Sequence, residues 1–208
     1  MTERSPPDAF IVPAGLRLEE VDGGLSIEHD GDIVLHGTLG RTINRIRSNQ
    51  GSIQLHMDVE VREVAAPRGN VTVTGNLQAD SVIGRRVDVS GDLRAQGVYG
   101  GSVFVGGDAD VARMNVEDGD VRITGRARIS DELSAEQGDI IISGALEAGA
   151  VNAVLGSVTV AGSAHVHDLQ AGRDVTFSGA LKAHEVRAGG TTQIGGETEA
   201  HAIRADEV

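Results

Sequence analysis

Aromatic residues and cysteine are scarce in this 208-residue sequence, which has one Tyr, three Phe, no Trp and no Cys. Without cysteine, neither a disulfide framework nor a thiolate metal site is available. A globular domain of this length normally uses aromatic side chains to fill a wide interior. Their scarcity therefore favours a thin interior that small aliphatic side chains can fill.

Positive charge, long apolar runs and a secretory signal are lacking as well. Lys and Arg number 18 against 31 Asp and Glu, so the formal net charge is −13. A nucleic-acid partner would require a basic face, and we expect no such partner. No run approaches the roughly 18 apolar residues of a membrane span. The N-terminal MTERSPPDAF has neither the basic nor the apolar region of a secretory signal, so we expect a cytoplasmic protein.

What the sequence has in abundance is glycine, with 29 residues against four prolines, arranged in a repeat. The repeat, Val-x-Val-x-Gly-x-Leu-x-Ala, is clearest in GNVTVTGNLQA at residues 69–79. Its fifth position recurs ten times, at Gly37, Met57, Gly75, Gly91, Gly107, Gly125, Gly144, Gly162, Gly179 and Gly196. These steps of 16 to 20 residues are too short for a helical-hairpin repeat. Each copy is therefore predicted to be one coil of a solenoid.

Apolar residues alternate within each copy, as at Val71, Val73, Leu77 and Ala79. Alternation with a period of two places these side chains on one face of a strand, and Val is a residue that strands favour. A third apolar patch follows, as at Val82, so each coil should contain three short strands. The sequence thus predicts an all-β fold, a triangular, single-stranded parallel β-helix of about ten coils. With coils about 4.8 Å apart, the rod would be on the order of 50 Å long.

The register predicts two further features of each coil. Glycine at the fifth position indicates a corner whose backbone angles other residues avoid. The third residue after it should face solvent, where residues of neighbouring coils lie opposite one another. This outward row reads Glu60, Gln78, Arg94, Asp110, Arg128, Glu147, His165, Lys182 and Glu199. Opposite charges alternate along its centre, which supports the alignment.

The pattern divides the chain into a flexible N-terminal tail, residues 1–15, and a parallel β-helix, residues 16–208. The tail contains an apolar triplet, Phe10, Ile11 and Val12, without a repeat to belong to. The triplet has three interpretations: a flap over the first coil, a contact with another subunit, or a membrane-surface anchor. Three apolar residues among acidic neighbours would bind a bilayer weakly at most. The alternation begins just after the tail, at Leu16 and Leu18.

The last copy of the repeat differs from the others. It places Thr192 and Thr198 where earlier coils carry inward aliphatic residues, and it retains Ile194 and Ile203. An open last coil exposes a sheet edge and an apolar cross-section. Polar substitution at this position is consistent with a partial cap, and it is equally consistent with an end-to-end joint between subunits.

Two groups of surface residues stand out along the coils. Phe104 and Ile141 hold the same outward position two coils apart, with Arg122 between them, and are candidates for a lateral contact. The longest spacing contains three arginines, Arg41, Arg45 and Arg47. An anion or an acidic partner could dock on these arginines, although local charge balance explains them as well.

The histidines are the main candidates for metal ligands, at positions His29, His36, His56, His165, His167, His184 and His201. His36 and His56 hold the same position in successive copies, and His165 and His167 lie two apart on one strand face. Either pair could bind a metal ion, but no carboxylate or cysteine accompanies it with suggestive spacing. We therefore expect neither a metal site nor a cofactor.

Two other kinds of solenoid have coils of similar length, a calcium-binding repeat and a family of enzymes. The segment GGDAD at residues 106–110 is reminiscent of calcium-binding nonapeptide repeats, but their signature should recur twice per coil and does not. Hexapeptide-repeat acyltransferases also have triangular coils of about 18 residues, and they commonly carry a catalytic histidine, for which His167 is the candidate. That alternative predicts a discrete trimer with a pocket between subunits.

The repeated Gly-Asp-Val units, aliphatic ladders and proline-bearing tail resemble the bactofilins, a bacterial family of polymer-forming cytoskeletal proteins. The resemblance covers about residues 16–205. It implies a right-handed β-helix whose subunits join end to end into nonpolar filaments without nucleotide, as a scaffold for cell shape or for positioning other proteins. The strings GDV and GDL are also similar to those of the β-helical domains of flagellar assembly protein A and of the septum-site inhibitor MinC, which implies a localisation or assembly module.

From these observations we expect a nonenzymatic structural protein that associates with itself, and with client proteins, through the ends of the rod. No catalytic residue is predicted. Membrane contact, if any, would involve the tail. The residues expected to mediate self-assembly are Phe10, Ile11, Val12, Leu16 and Leu18 at one end and Thr192, Ile194 and Ile203 at the other.

Overall fold

Strands make up the regular structure of the computed structural model, which describes residues 15–21, 23–37 and 42–206. These ranges contain no helix, so the described chain has no helix that could span a membrane. The strands are β1 (Arg17–Val21), β2 (Gly24–His29), β3 (Ile33–His36), β4 (Ile43–Ser48), β5 (Ile53–His56), β6 (Val59–Ala66), β7 (Val71–Val73), β8 (Leu77–Val89), β9 (Leu93–Val105), β10 (Ala109–Val116), β11 (Val121–Ile123), β12 (Ala127–Ala135), β13 (Ile140–Ile142), β14 (Leu146–Ala153), β15 (Val158–Val160), β16 (Ala164–Ala171), β17 (Val175–Phe177), β18 (Leu181–Ala188), β19 (Thr192–Ile194) and β20 (Thr198–Arg204).

From β2 onward, strands pair in parallel with their counterparts in neighbouring coils. In β11, for example, Arg122 lies opposite Phe104 of β9 on one side and Ile141 of β13 on the other. The same pairing confirms the whole predicted outward row from Glu60 to Glu199. The chain is therefore a parallel β-solenoid of about 10 turns of about 18 residues, as the repeat predicts.

Each regular coil contributes three alternating segments. In one coil the first segment is β11, and the register of β12 then breaks between Ile129 and Glu132, which divides that strand into two segments. Alternate residues are buried in both parts of β12, as at Ala127 and Leu133. Three faces per coil give the predicted triangular cross-section.

The interior consists of ladders in which one buried residue lies over the next. One ladder runs through Val71, Val87, Val103, Val121, Ile140, Val158 and Val175 and ends at Thr192. The largest fully buried side chain is Phe177, in the row that holds Val160 one coil earlier. Full burial of an aliphatic or Phe side chain stabilises a fold by about 1.5–3 kcal/mol. Repeated burial of this kind explains how a chain with few aromatic residues can hold a rod together.

The repeated glycines do lie at corners, but among the described ones the predicted unusual backbone angle occurs only at Gly37. Among the described glycines only Gly15, Gly23 and Gly37 have positive φ. At the other repeat positions the coils approach too closely for a side chain. A Cβ on Gly144 would lie 2.4 Å from the carbonyl oxygen of Gly125, one coil earlier. Close coil stacking, and not an unusual backbone angle, excludes larger residues at this corner.

Polar side chains link consecutive coils at two corners. At the corner after the repeated glycine, Asp92 accepts the backbone N–H of Asp108 at 2.9 Å, and Asn76 accepts that of Asp92 at 2.8 Å. At another corner, Asp120 accepts the N–H of Asp139 at 3.0 Å, and Asp174 accepts that of Thr191 at 2.9 Å. These bonds satisfy corner N–H groups outside the strand ladders, which explains the recurrent Gly-Asp dipeptides.

The N-terminal end departs from the parallel pattern. β1 runs antiparallel to β2, with Leu18 opposite Ile27 and Glu20 opposite Leu25. The alternation at Leu16 and Leu18 predicts a first parallel coil, whereas β1 instead folds back along the edge of β2. The hairpin covers that edge with a strand of the chain's own.

Candidate functional site

The C-terminal coil is the least complete part of the solenoid. β19 pairs with β17, and β20 pairs with β18. Neither strand has a partner on its outer side within the described part of the chain. An unpartnered strand edge carries backbone N–H and C=O groups that can pair with another chain. This edge is one candidate for an interaction surface.

Four predicted residues of this coil lie where the repeat places them. Thr192 continues the buried Val ladder, and its hydroxyl has no hydrogen-bond partner in the described structure. Thr198 continues the inward row of Leu181, yet it is exposed, because no described coil covers it. Ile194 and Ile203 are half-buried against the core. The core is therefore left partly uncovered at this end.

The predicted residues of the N-terminal end are brought together only in part. Leu16 packs against the core, whereas Leu18 and Val21 on β1 are each 44% exposed. The side-chain amide of Asn44 donates to the Val21 carbonyl, which holds the hairpin to the next coil. The triplet Phe10, Ile11 and Val12 lies outside the described residues.

Phe104 and Ile141, the candidates for a lateral contact, lie on one face as predicted, but arginine side chains cover the Phe104 ring. The Arg86 guanidinium lies over its ring at 4.3 Å from the centroid, and Arg122 approaches from the next coil at 6.0 Å. Each arginine also forms an ion pair with an aspartate, Arg86 with Asp88 at 3.0 Å and Arg122 with Asp120 at 2.9 Å. A cation over an aromatic face is itself a favourable contact. The arginines thus supply local contacts for Phe104 that a lateral partner would otherwise supply.

The arginine cluster has an internal partner. Arg45 and Arg47 contact the Glu63 carboxylate at 3.0 and 3.7 Å, and Arg47 also donates to the Asn49 side chain at 3.0 Å. Arg41 lies outside the described residues. For the two described arginines, these contacts favour local charge balance.

Five of the seven histidines form two separate stacks on the outer surface, and His29 and His165 belong to neither. His36 and His56 stack with ring centroids 4.4 Å apart, as expected for the same position in successive coils. The second stack was not predicted as a stack: His167 lies 4.8 Å from His184, which lies 5.3 Å from His201. His165 and His167 share the outward face of β16, as predicted, but the ring that stacks on His167 is His184 of the next coil.

A carboxylate that the sequence reasoning missed joins the second stack. Asp168 contacts the Nδ1 atoms of His167 and His184 at 3.0 and 3.5 Å. The hydrogen bond from His167 is the main cause that lowers the pKa of the Asp168 carboxyl. The repeat does indicate the stack of histidines, because each of the three follows its repeat glycine, Gly162, Gly179 or Gly196, by five residues. It does not indicate the contact of Asp168 with both rings.

Outward side chains around the stack line an open groove along successive coils. Besides the stacked histidines, the groove is lined by Glu147, His165 and Lys182. Lys182 forms an ion pair with Glu199 at 3.2 Å. His167, on which the acyltransferase alternative depends, is an exposed member of this groove. The groove therefore combines imidazole, ammonium and carboxylate groups in contact with solvent.

Comparison of the chain with protein-family models, with curated proteins and with solved structures gives no match. The terminal coil and the histidine groove are therefore the two surfaces whose geometry bears on function.

Proposed function

We propose that the protein is a nonenzymatic structural scaffold whose rods associate through the C-terminal coil. The observation that carries this proposal is the outer side of β19 and β20, where strand edge and core are uncovered together in the described chain. The resemblance to bactofilins points in the same direction. Assembly into filaments or oligomers would provide a support for cell shape or for positioning client proteins.

The strand edge would supply the backbone hydrogen bonds of such a joint. β19 and the two segments of β20 together expose unpaired backbone groups on the three faces of the last coil. A second copy that brings its own unpaired edge would satisfy both sets at once. Pairing of this kind needs no nucleotide and no additional cofactor.

The uncovered core supplies the nonpolar part of the joint. Ile194, Ala200 and Ile203 are half-buried against the core, and a second copy would complete their burial. Burial of apolar surface contributes about 25 cal/mol per Å². The buried Thr192 hydroxyl lacks a partner in the described structure, and such a group costs about 1–3 kcal/mol. A partner coil could donate to or accept from that hydroxyl, which would remove this cost.

The geometry favours joining two C-terminal ends over joining a C-terminal end to an N-terminal end. β1 occupies the edge of β2, so a parallel coil could stack directly on β2 only by displacing the hairpin. The edges without a described partner at this end belong to β1 and β3. Two identical C-terminal edges related by a two-fold axis form a self-complementary interface. Longer filaments would then need a second joint at the N-terminal end, where Leu18 and Val21 are exposed.

Sedimentation analysis of the full chain with matched variants tests the proposal. Ile194→Asp places a charge on the inward side of β19, whereas Gln193→Asp adds the same charge at the neighbouring outward, exposed position. We expect the wild type and Gln193→Asp to associate with increasing concentration, and Ile194→Asp to require at least about tenfold higher concentration. A wild type that stays monomeric throughout would overturn the proposal, as would unchanged association of Ile194→Asp.

A further inference from the structure

Three side chains with metal-ligating atoms meet on the outer surface, in the two coils that precede the last one. They are His167 and Asp168 of β16 and His184 of β18. One ligand atom from each, a ring nitrogen or a carboxylate oxygen, lies within 4.8 Å of the other two. Among the described residues, this is the one group of three His, Cys, Asp or Glu side chains close enough together to hold a metal ion.

The solenoid itself holds the group together. His167 and His184 occupy equivalent positions of consecutive coils, and their rings are nearly parallel, with an angle of 12° between planes. Asp168 follows His167 directly, and its two carboxylate oxygens contact the two rings separately. Because both strands belong to the parallel ladder, the donor atoms are positioned by backbone pairing and not by a loop.

We propose that His167, Asp168 and His184 bind one divalent transition-metal ion of the Zn²⁺ class. Two imidazole nitrogens and a carboxylate are a ligand set that such ions accept. Zn²⁺ has bonds of about 2.0–2.2 Å to these atoms, so rotation of the exposed side chains must shorten the present separations. Solvent completes the coordination, since all three side chains are exposed.

The surroundings favour one ion and not a row of ions along the stack. His184 and His201 also stack, but the carboxylate one coil after Asp168 belongs to Glu185. Arg187 contacts Glu185 at 2.8 Å, and Arg204 approaches it at 3.7 Å. The Glu185 carboxylate is therefore already paired with cations, whereas the contacts of Asp168 are to the histidines.

The chain contains a matched control for this site. His36 and His56 form the same kind of stack, 4.4 Å apart, and both are exposed. No carboxylate of the described residues forms an ion pair with either ring. The first stack therefore serves as a control for zinc binding by stacked imidazoles alone, and the Asp168 variant tests the carboxylate itself.

Calorimetric titration of the full chain with Zn²⁺, above about pH 7 so that histidines are neutral, tests the inference. We expect one ion per chain, and affinity reduced at least about tenfold in Asp168→Asn and His184→Gln. His36→Gln should bind as the wild type does. Absence of binding to the wild type overturns the inference, and so does equal loss of affinity in His36→Gln.

A second readout locates the ion independently of affinity. In nuclear magnetic resonance spectra, Zn²⁺ should shift the ring signals of His167 and His184 and leave those of His36 and His56 unchanged. Shifts confined to His36 and His56, or spread equally over both stacks, would contradict the assignment. The readout does not depend on rod association, because it can be measured in Ile194→Asp as well as in the wild type.

Discussion

The coil around Val158 and the coil around Thr192 carry the same repeat but differ in how completely they are covered. Val158 lies between Ile140 and Val175 in its ladder and is fully buried. Thr192 has Val175 on one side and no described residue beyond it. In a linear repeat, each coil is stabilised mainly by its two neighbours. The same strand geometry thus gives a closed interior in the middle of the rod and an incomplete one at the end.

The same repeat therefore has a different consequence in the middle coils and in the last coil. In the middle coils, aliphatic ladders, close glycine corners and carboxylate bonds all serve the fold. In the last coil the same devices remain, but their outer sides face solvent. A terminal coil of this kind has a neighbouring coil on only one side within the described chain, which is the basis of the proposed association.

Truncation of isoleucines should show the largest contrast between the two regions. Ile140 is fully buried, whereas Ile194 is half-buried. Ile140→Ala should lower the free energy of unfolding by about 2–5 kcal/mol, because it leaves a cavity that neighbouring coils cannot fill. Ile194→Ala should cost about 1 kcal/mol in the monomer, since less apolar surface is lost. Chemical denaturation of both variants at low concentration measures the two losses of unfolding free energy. Equal losses would show that the last coil is packed as tightly as a middle coil.

Added methyl groups at the glycine corner should give a smaller contrast. A Cβ on Gly144 would meet the Gly125 carbonyl at 2.4 Å, and a Cβ on Gly196 would meet backbone atoms at 2.6 Å. Gly144→Ala should cost about 1–3 kcal/mol, because coils on both sides resist a shift. Gly196→Ala should cost less, since the last coil can move outward. Thermal unfolding compares the two, and a larger loss in Gly196→Ala would contradict the account.

Acid sensitivity should show the smallest effect. The hydrogen bond from Arg122, followed by that from the Asp139 backbone, lowers the pKa of Asp120, and hydrogen bonds from Thr191 lower the pKa of Asp174. A lowered folded pKa gives stability that is present above about pH 4 and lost as the pH falls through the folded value.

Replacement of Asp120 by Asn keeps an acceptor for the backbone N–H, as Asn76 does at the other corner. Asp120→Asn should therefore reduce the loss of stability as the pH falls below about 4, and solvent screening limits the effect to about 1 kcal/mol or less. Asp174→Asn should change global unfolding less, because its partner Thr191 belongs to the terminal coil. An unchanged acid profile in Asp120→Asn would show that this carboxylate does not contribute.

The repeat made most of the coil register predictable. Alternation at Val71 and Val73 placed their side chains inward, and the repeat spacing correctly placed Phe104 opposite Arg122. The reversal of β1 was not predictable from alternation, because Leu16 and Leu18 alternate equally well in either strand direction. The signal that was missed is the dipeptide Asp22-Gly23 between the two alternating segments, a typical two-residue hairpin turn, and Gly23 has a positive φ.

The candidate sites were predictable to different degrees. Thr192 and Ile194 stand out as changes in a ladder, so their place in the last coil followed from the sequence. Asp168 did not stand out, because its position next to His167 reveals nothing about His184 until the coils are aligned. The corner glycines were located correctly, but the predicted backbone angle explains only Gly37. At the other described repeat positions a short distance between coils requires glycine, and the sequence does not distinguish the two reasons.

Electron microscopy of the purified full chain, over a range of concentration and salt, tests most directly whether the terminal coil joins rods. A single rod of about ten coils should be on the order of 50 Å long. The account predicts rods joined end to end, with pairs on the order of 100 Å long or filaments at higher concentration. Single rods at every concentration, or rods joined only side by side, would contradict it.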